Sequence, residues 1–349
     1  MNTYWTDKRV VVTGGAGFLG SHVVEKLREA ECKHIFVVRS KNYDLAKEEA
    51  VARLFTNLES DINGWPSVIS GRDSAIDVII HLAGLVGGIG ANKARPAEFF
   101  YQNIMMGVLI MHYAWKHGVE KFVAAGAGCG YPEHAPMPLK EEYFWDGFPQ
   151  EDSAPYSLAK RMLHIQSVAY WQQYRFPAVV TIPGNIYGPY DNFDLENAHV
   201  IPALVRKFVE AVEDGHKQVV VWGTGKPTRD FVYAGDVAEG ILRAAEVYNR
   251  PELVNLSSGK EANIREVVET LAQITGFDGE IVWDSSRPDG QARRLFDISK
   301  ARRELGFEAR TNLREGLRFT AEWYRIHRSE ARNVMVFGET KPDLSRGHL

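Results

Sequence analysis

Val10-Val-Val-Thr-Gly14-Gly-Ala-Gly17-Phe-Leu-Gly20 is the stretch on which the fold turns. Three valines and a threonine read as a buried strand, and periodic apolar residues resume after Gly17 as on an amphipathic helix. Between them lie glycines at 14, 17 and 20. A turn without side chains lets a pyrophosphate approach the backbone, and the positive end of the following helix faces its charge. The spacing is Gly-x-x-Gly-x-x-Gly, not the commoner Gly-x-Gly-x-x-Gly. A glycine-rich turn by itself is also how an ordinary tight turn looks. Placed at the first strand-to-helix junction, it points to a dinucleotide.

Outward from this turn, short apolar runs alternate with longer helical patterns, the sequence form of a parallel sheet covered by helices. Strands are expected at Val10 to Thr13, Ile35 to Val38, Val78 to His81, Phe122 to Ala125, Val179 to Ile182 and Val219 to Trp222. Their consecutive apolar residues suit strands buried on both faces. Helices are expected at Gly17 to Arg28, Phe99 to Lys116, Tyr156 to Tyr174 and Val200 to Glu213. The fold class is α/β: a Rossmann-type doubly wound parallel sheet with a smaller α/β substrate-binding lobe. Turn-rich stretches at Gly188 to Asn197, Gly223 to Asp230 and Ser285 to Gln291 suggest binding loops in the second half. Residues 1–183 should hold mainly the dinucleotide-binding domain and 184–332 mainly the second lobe, with some elements returning to the first domain. Residues 333–349 read as a loosely organised tail.

Composition narrows the class. No apolar run approaches the roughly 18 to 20 residues of a membrane helix, and the polar start lacks the pattern of a signal peptide. A cytoplasmic protein is expected. Two cysteines, Cys32 and Cys129, exclude a disulfide framework and a four-cysteine zinc site, and no metal is expected. With net charge −4 and dispersed cations, nothing suggests nucleic-acid binding.

Two further features carry chemistry. The second strand ends Val38-Arg39-Ser-Lys41, with the nearest acid, Asp44, farther on. A basic residue there accommodates a ribose 2′-phosphate where an acidic one would bind the free hydroxyls, so Arg39 favours NADP(H) over NAD(H). In Ser153-Ala-Pro-Tyr156-Ser-Leu-Ala-Lys160, Tyr156 and Lys160 lie one helical turn apart on one face. An ammonium there is expected to lower the phenol toward the range where it exchanges a proton with a carbonyl oxygen.

Together with His81-Leu-Ala-Gly-Leu-Val-Gly-Gly-Ile-Gly-Ala-Asn92, Tyr101-Gln-Asn103, Cys129-Gly-Tyr-Pro132, Asn185-Ile-Tyr-Gly-Pro189, Asp191-Asn-Phe193 and His199-Val-Ile-Pro-Ala203, these motifs resemble the GDP-L-fucose synthase family. That family belongs to the extended short-chain dehydrogenases/reductases, whose glycine spacing the first turn also shares. The similarity runs from the glycine turn to at least Trp323. It implies C3/C5 epimerisation of a GDP-4-keto-6-deoxyhexose by a cysteine and a histidine, matched here by Cys129 and His199. NADPH-dependent C4 reduction follows, with Tyr156 moving the proton at O4 and Lys160 binding the nicotinamide ribose. The chemistry is coherent, because a 4-keto group acidifies the neighbouring C3 and C5 protons. The resemblance further implies cofactor contacts from Gly14, Gly17, Phe18, Leu19, Gly20, Arg39, Ala83, Lys160, Pro183, Asn185 and Ile186. For the nucleotide sugar it implies Arg229, whose planar fork suits a diphosphate, and as further candidates Asn185, Lys207, Trp222 and Arg294. The family's helices matching Phe99 to Lys116 and Tyr156 to Tyr174 pair as a four-helix bundle, implying a homodimer.

One position departs from the family. Where it carries Gly-Ser-Ser-Cys, this chain has Gly126-Ala-Gly-Cys129, so the hydroxyl beside the tyrosine is replaced by the methyl of Ala127. Losing such a donor bears on hydride transfer. It leaves open a redox-neutral enzyme like GDP-mannose 3,5-epimerase, an epimerase-only or reductase-only variant on another GDP-sugar such as a heptose, or a silent NADP-binding protein.

Overall fold

The computed structural model describes residues 3–60, 74–287 and 289–331; the expected tail lies outside them. Its centre is a six-stranded sheet. Strands β1 (Arg9–Thr13), β2 (His34–Val38), β3 (Val78–His81), β4 (Lys121–Ala125), β5 (Ala178–Pro183) and β9 (Val254–Leu256) run in the order β2-β1-β3-β4-β5-β9, every pair parallel.

The runs of apolar residues follow from the coverage of both faces. Val10, Val12, Val78, Ile80, Val123, Val179 and Val254 turn to one side, packing with α1 (Phe18–Glu29) and α7 (Ala234–Val247) through Val23, Leu27, Val237 and Ile241. The alternate residues Val11, Ile79, Phe122, Val180 and Ile182 meet α2 (Glu48–Glu59), α4 (Pro96–Lys116) and α5 (Ala154–Tyr174) through Phe55, Ile110 and Leu163. Each such side chain contributes about 1.5–3 kcal/mol of burial. The chain passes from β1 to β2 on one side and then crosses to β3 on the other. A crevice therefore opens at the carboxyl ends of β1 and β3, the switch point where doubly wound sheets bind ligands.

A third core joins Phe193 to α6 (Val200–Glu213), α8 (Ile264–Thr275) and α10 (Leu313–Ala331) through Leu204, Phe208, Val267, Leu271, Leu317 and Tyr324. Beside it, β8 (Thr228–Tyr233) is flanked by β6 (Asn185–Tyr187), β10 (Glu261–Asn263) and β12 (Arg293–Arg294). Part of the stretch Gly223 to Asp230, read as loop, is therefore strand.

The expected strand at Val219 to Trp222 is present as β7 (Gln218–Trp222), but it is not buried on both faces. It pairs in parallel with β11 (Glu280–Asp284) in a separate two-stranded sheet. Val219 and Val221 are buried, whereas Val220 is 40% and Trp222 57% exposed. Only one side of this ribbon has a core to cover it. The sixth position of the central sheet belongs to β9, a three-residue strand too short to show a period.

Candidate active site

The crevice at the end of β1 is shaped by close backbone packing. Gly14 has φ +69°, and a Cβ there would stand 2.7 Å from the Ala83 nitrogen. A Cβ on Gly20 would overlap the Gly14 carbonyl oxygen, so α1 starts directly against the turn. Gly17 caps that helix without a side-chain hydrogen bond, leaving the first N–H groups of Phe18 and Leu19 for an anion. Thr13 Oγ1 lies 2.7 Å from His81 Nδ1 and accepts from the Ala83 N–H, fixing the β3 exit beside the turn. Burial, and then the charge of Lys160, hold His81 down at about 3, so it is neutral. These residues fit a dinucleotide.

At the end of β2, Arg39 is exposed, and its carbonyl accepts from the N–H groups of Asn42 and Tyr43. Asp44 is committed elsewhere: it accepts from the Ala46 N–H at 3.2 Å and pairs with Lys47 at 3.6 Å. The basic side chain, not the acid, is the group available at the strand end. In Arg39→Glu, NADPH affinity is expected to fall about 10–100-fold, the range of a lost charge-assisted contact, with NADH much less affected. Equal losses in titrations of the two cofactors would contradict a 2′-phosphate role.

Tyr156 and Lys160 lie in the first two turns of α5, which starts with Pro155 near its N-terminus. Tyr156 packs edge-on against Phe99, ring centroids 6.2 Å apart. Lys160 is buried and donates to the Ala125 carbonyl at 2.9 Å. Close by, β4 runs into Gly126-Ala-Gly-Cys129, and Cys129 sits half-buried in a short 3₁₀ turn.

The expected lowering of the Tyr156 phenol does not occur in the chain by itself. Burial, and then the neighbouring Cys129, push it well above its usual 10. The Lys160 ammonium is directed at Ala125, so helical spacing supplied proximity without supplying direction. Burial also lowers Lys160 from 10.5 to about 8, opposed by Cys129. Because the folded value lies below the unfolded one, the unfolded chain holds more protons between about pH 8 and 10.5. Stability contributed by this group therefore rises with pH through that window, and the burial cost is fully present below it. Urea unfolding at about pH 8 and 10 is expected to show a smaller gain in Lys160→Met than in the parent; an equal gain would contradict it.

His199 stands apart as the N-cap of α6. Its side chain is exposed, and desolvation by the surrounding protein lowers its imidazole below the usual 6.5. The Asn197 carbonyl just ahead of it lies 3.7 Å from where a Cβ on Gly88 would sit, so this segment abuts the glycine-rich loop after β3. No hydrogen bond joins His199 to Cys129 or Tyr156.

Arg229 and Arg294 are in-register partners on β8 and β12. Arg294 donates to the Gly128 carbonyl and, at 2.9 Å, to Gln291 Oε1, which brings it to the Cys129 turn. Thr224 joins the neighbouring loop by donating to Asp289 through its N–H at 2.6 Å and its hydroxyl at 2.7 Å. Asn185 donates to the Asp230 carbonyl, while Pro183 and Ile186 line the neighbouring strand ends. Lys207 donates to the Val220 carbonyl and lies 5.4 Å from the ring centre of exposed Trp222. The structure thus gathers Cys129, Tyr156, Lys160 and Arg294, and leaves Lys207 on α6 beside Trp222 of the outer ribbon. A cavity of about 550 Å³ between α8 and α10 lies elsewhere; its Arg314 and Arg318 already bind Gln273 and Glu322.

Residues 10–257 match the family model for NAD dependent epimerases/dehydratases. The chain belongs to the NAD dependent epimerase/dehydratase family. Within this family it is 35% identical over 316 residues to GDP-L-fucose synthase 1 of Arabidopsis thaliana, covering 90% of this chain and 93% of that one. A GDP-L-fucose synthetase from Naegleria fowleri superposes with TM-score 0.84 at 28% identity, covering 95% and 96% of the two chains. A GDP-D-glycero-L-gluco-heptose synthase from Campylobacter jejuni, crystallised in the presence of NADPH, does so at 0.81 and 27%, covering 92% and 99%. The Rossmann-type fold and the family expected from the motifs are both borne out. No helix among the described residues is long and apolar enough to cross a membrane.

Two functional-site features escaped the sequence reading. Asn103 is buried in α4, where Nδ2 donates to the Leu85 and Phe99 carbonyls and Oδ1 accepts from the Leu85 N–H. It pins the loop that follows β3. Its place inside a quoted motif was the available signal. Arg161 is buried beside Lys160, and no periodicity exposed it, because α5 is buried on several faces.

Proposed function

We propose that this chain is an NADPH-dependent GDP-sugar epimerase and reductase acting on a GDP-4-keto-6-deoxyhexose. The observation that carries the reading is the juxtaposition of a half-buried thiol, Cys129, with a half-buried phenol, Tyr156, one helical turn before Lys160. In this reading Cys129 and His199 remove and return the C3 and C5 protons that the 4-keto group acidifies. Bound NADPH supplies hydride to C4, and Tyr156 supplies the proton to O4. A phenol raised by burial stays protonated at neutral pH, which is the form a donor needs. Lys160 has donors beyond the one held by Ala125 with which to bind the nicotinamide ribose. Arg229, with Arg294 beside it, holds the diphosphate. Lys207, Trp222 and Asn185 complete the nucleotide-sugar contacts, and Gly14, Gly17, Phe18, Leu19, Gly20, Arg39 and Ala83 the cofactor contacts.

The similarity to GDP-L-fucose synthases and to a GDP-heptose synthase supports a GDP-sugar. A homodimer through α4 and α5 is also proposed, supported by exposed Tyr101, Val108 and Ile165 on those helices.

A redox-neutral epimerase is the second reading, favoured by Ala127, whose methyl replaces the family hydroxyl beside the candidate centre. If hydride transfer does occur, Ala127→Ser is expected to accelerate it about tenfold or more, the scale of one positioned donor. A single-turnover rate at or below the parent's would show that no donor is missing. The proposal itself is tested by adding NADPH and GDP-4-keto-6-deoxymannose and following absorbance at 340 nm. Stoichiometric NADPH oxidation is expected; a cofactor that is never consumed would sink the reductase half.

A further inference from the structure

Arg161 follows Lys160 on α5 and is only 3% exposed. Its Nε donates to the Gly130 carbonyl at 2.6 Å and its Nη1 to the Gly147 carbonyl at 2.9 Å, while Nη2 has no partner. The guanidinium lies over Phe144 and Trp145, 5.3 and 5.1 Å from their ring centres. Among the described residues no carboxylate pairs with it. A buried cation with only neutral partners is costly, and fold stability alone is poorly served by it.

Its position relative to Cys129 supplies a reason. The thiol sits between two glycines that close packing demands: a Cβ on Gly128 would press on Phe296 at 2.9 Å, and one on Gly130 on Phe144 at 2.7 Å. Within the turn the Gly130 N–H donates to the Ala127 carbonyl and the Tyr131 N–H to the Gly128 carbonyl, and further hold on the thiol comes from outside it. Two guanidiniums supply it. Arg161 takes the carbonyl after Cys129 and Arg294 the carbonyl before it.

We propose that Arg161 is a positioning residue for proton transfer, which with Arg294 brackets the Cys129 turn and places guanidiniums on both sides of it. The charges agree with the geometry. Burial lowers the proton affinity of Lys160, Arg161 and Arg294, and a negative charge at Cys129 acts in the opposite sense on all three. This inference rests on the reading of Cys129 as an acid/base group.

The test compares parent, Arg161→Met and Arg161→Lys in two arms. In the first, deuterium exchange at C3 and C5 of GDP-4-keto-6-deoxymannose is followed with KM. Arg161→Met is expected to exchange about 10–100-fold more slowly, the scale of a displaced reacting group, with KM unchanged. Arg161→Lys, whose ammonium lacks the rigid fork that spans these two carbonyls, should be several-fold slower, and it decides this arm if the methionine variant does not fold. Parent-like exchange in the variants, or a loss carried by KM, overturns the bracket. In the second arm, iodoacetamide alkylation of Cys129 is followed by mass spectrometry without substrate, and Arg161→Met is expected to react at a rate several-fold different from the parent's, because the turn that presents the thiol is no longer held on that side. Equal alkylation overturns the bracket even if the parent exchanges nothing, an outcome that would instead refute the function proposed for Cys129.

Discussion

Tyr156→Phe is expected to slow hydride transfer by about 10²–10⁴-fold, the usual contribution of a positioned proton donor. The substitution removes one hydroxyl and keeps the ring that packs edge-on against Phe99, so the fold and the crevice at β1 should survive. Burial and Cys129 keep the phenol protonated, and the proton given to O4 as hydride arrives at C4 has no equally placed replacement: Lys160 is engaged with Ala125, and position 127 carries a methyl. Single-turnover absorbance at 340 nm, with NADPH affinity and thermal midpoint measured in parallel, checks this. A Tyr156→Phe protein that turns over at the parent rate would remove Tyr156 from the chemistry.

Cys129→Ala should separate the two halves of the reaction. Solvent exchange at C3 and C5 is expected to fall by about 10²–10⁴-fold for loss of an acid/base group, while NADPH binding stays as in the parent. The other thiol cannot substitute: Cys32 is buried between α1 and β2, where its Sγ donates to backbone carbonyls of Lys8 and His34. Burial, the larger cause of the raised Tyr156 phenol, remains in the variant, so the reductase centre is kept, and any hydride delivered should yield a sugar whose C3 and C5 were not inverted. NMR of the product reads this directly. Exchange at the parent rate would show that another group moves those protons.

How far the sequence could be read depended on whether a feature was local. The glycine turn, the strand before it and the helix after it occupy one unbroken stretch from Arg9 to Glu29, and the backbone approach they imply is the one found between Gly14 and Ala83. Tyr156 and Lys160, four apart on one helix, were likewise legible as neighbours. The direction of the Lys160 ammonium was not, because the Ala125 carbonyl that receives it is 35 residues away. Arg294 is a nucleotide-sugar candidate only through the family resemblance; its hydrogen bond to Gly128 spans 166 residues and follows only from the pairing of β12 with β8. Arg161 gave no signal, since a helix packed on most sides loses the amphipathic period that would mark an inward-facing cation. The same limit applies to β7, whose run of apolar residues resembles a central strand although only its alternate side chains are buried.

The most direct test of the account is to incubate the protein with GDP-4-keto-6-deoxymannose and NADPH in deuterated water, assigning deuterium in the product by NMR while NADPH is followed at 340 nm. The account predicts deuterium at both C3 and C5 and one NADPH oxidised per product formed. Product retaining its original hydrogens at both carbons, or exchange that never consumes NADPH, would contradict a single site performing both steps.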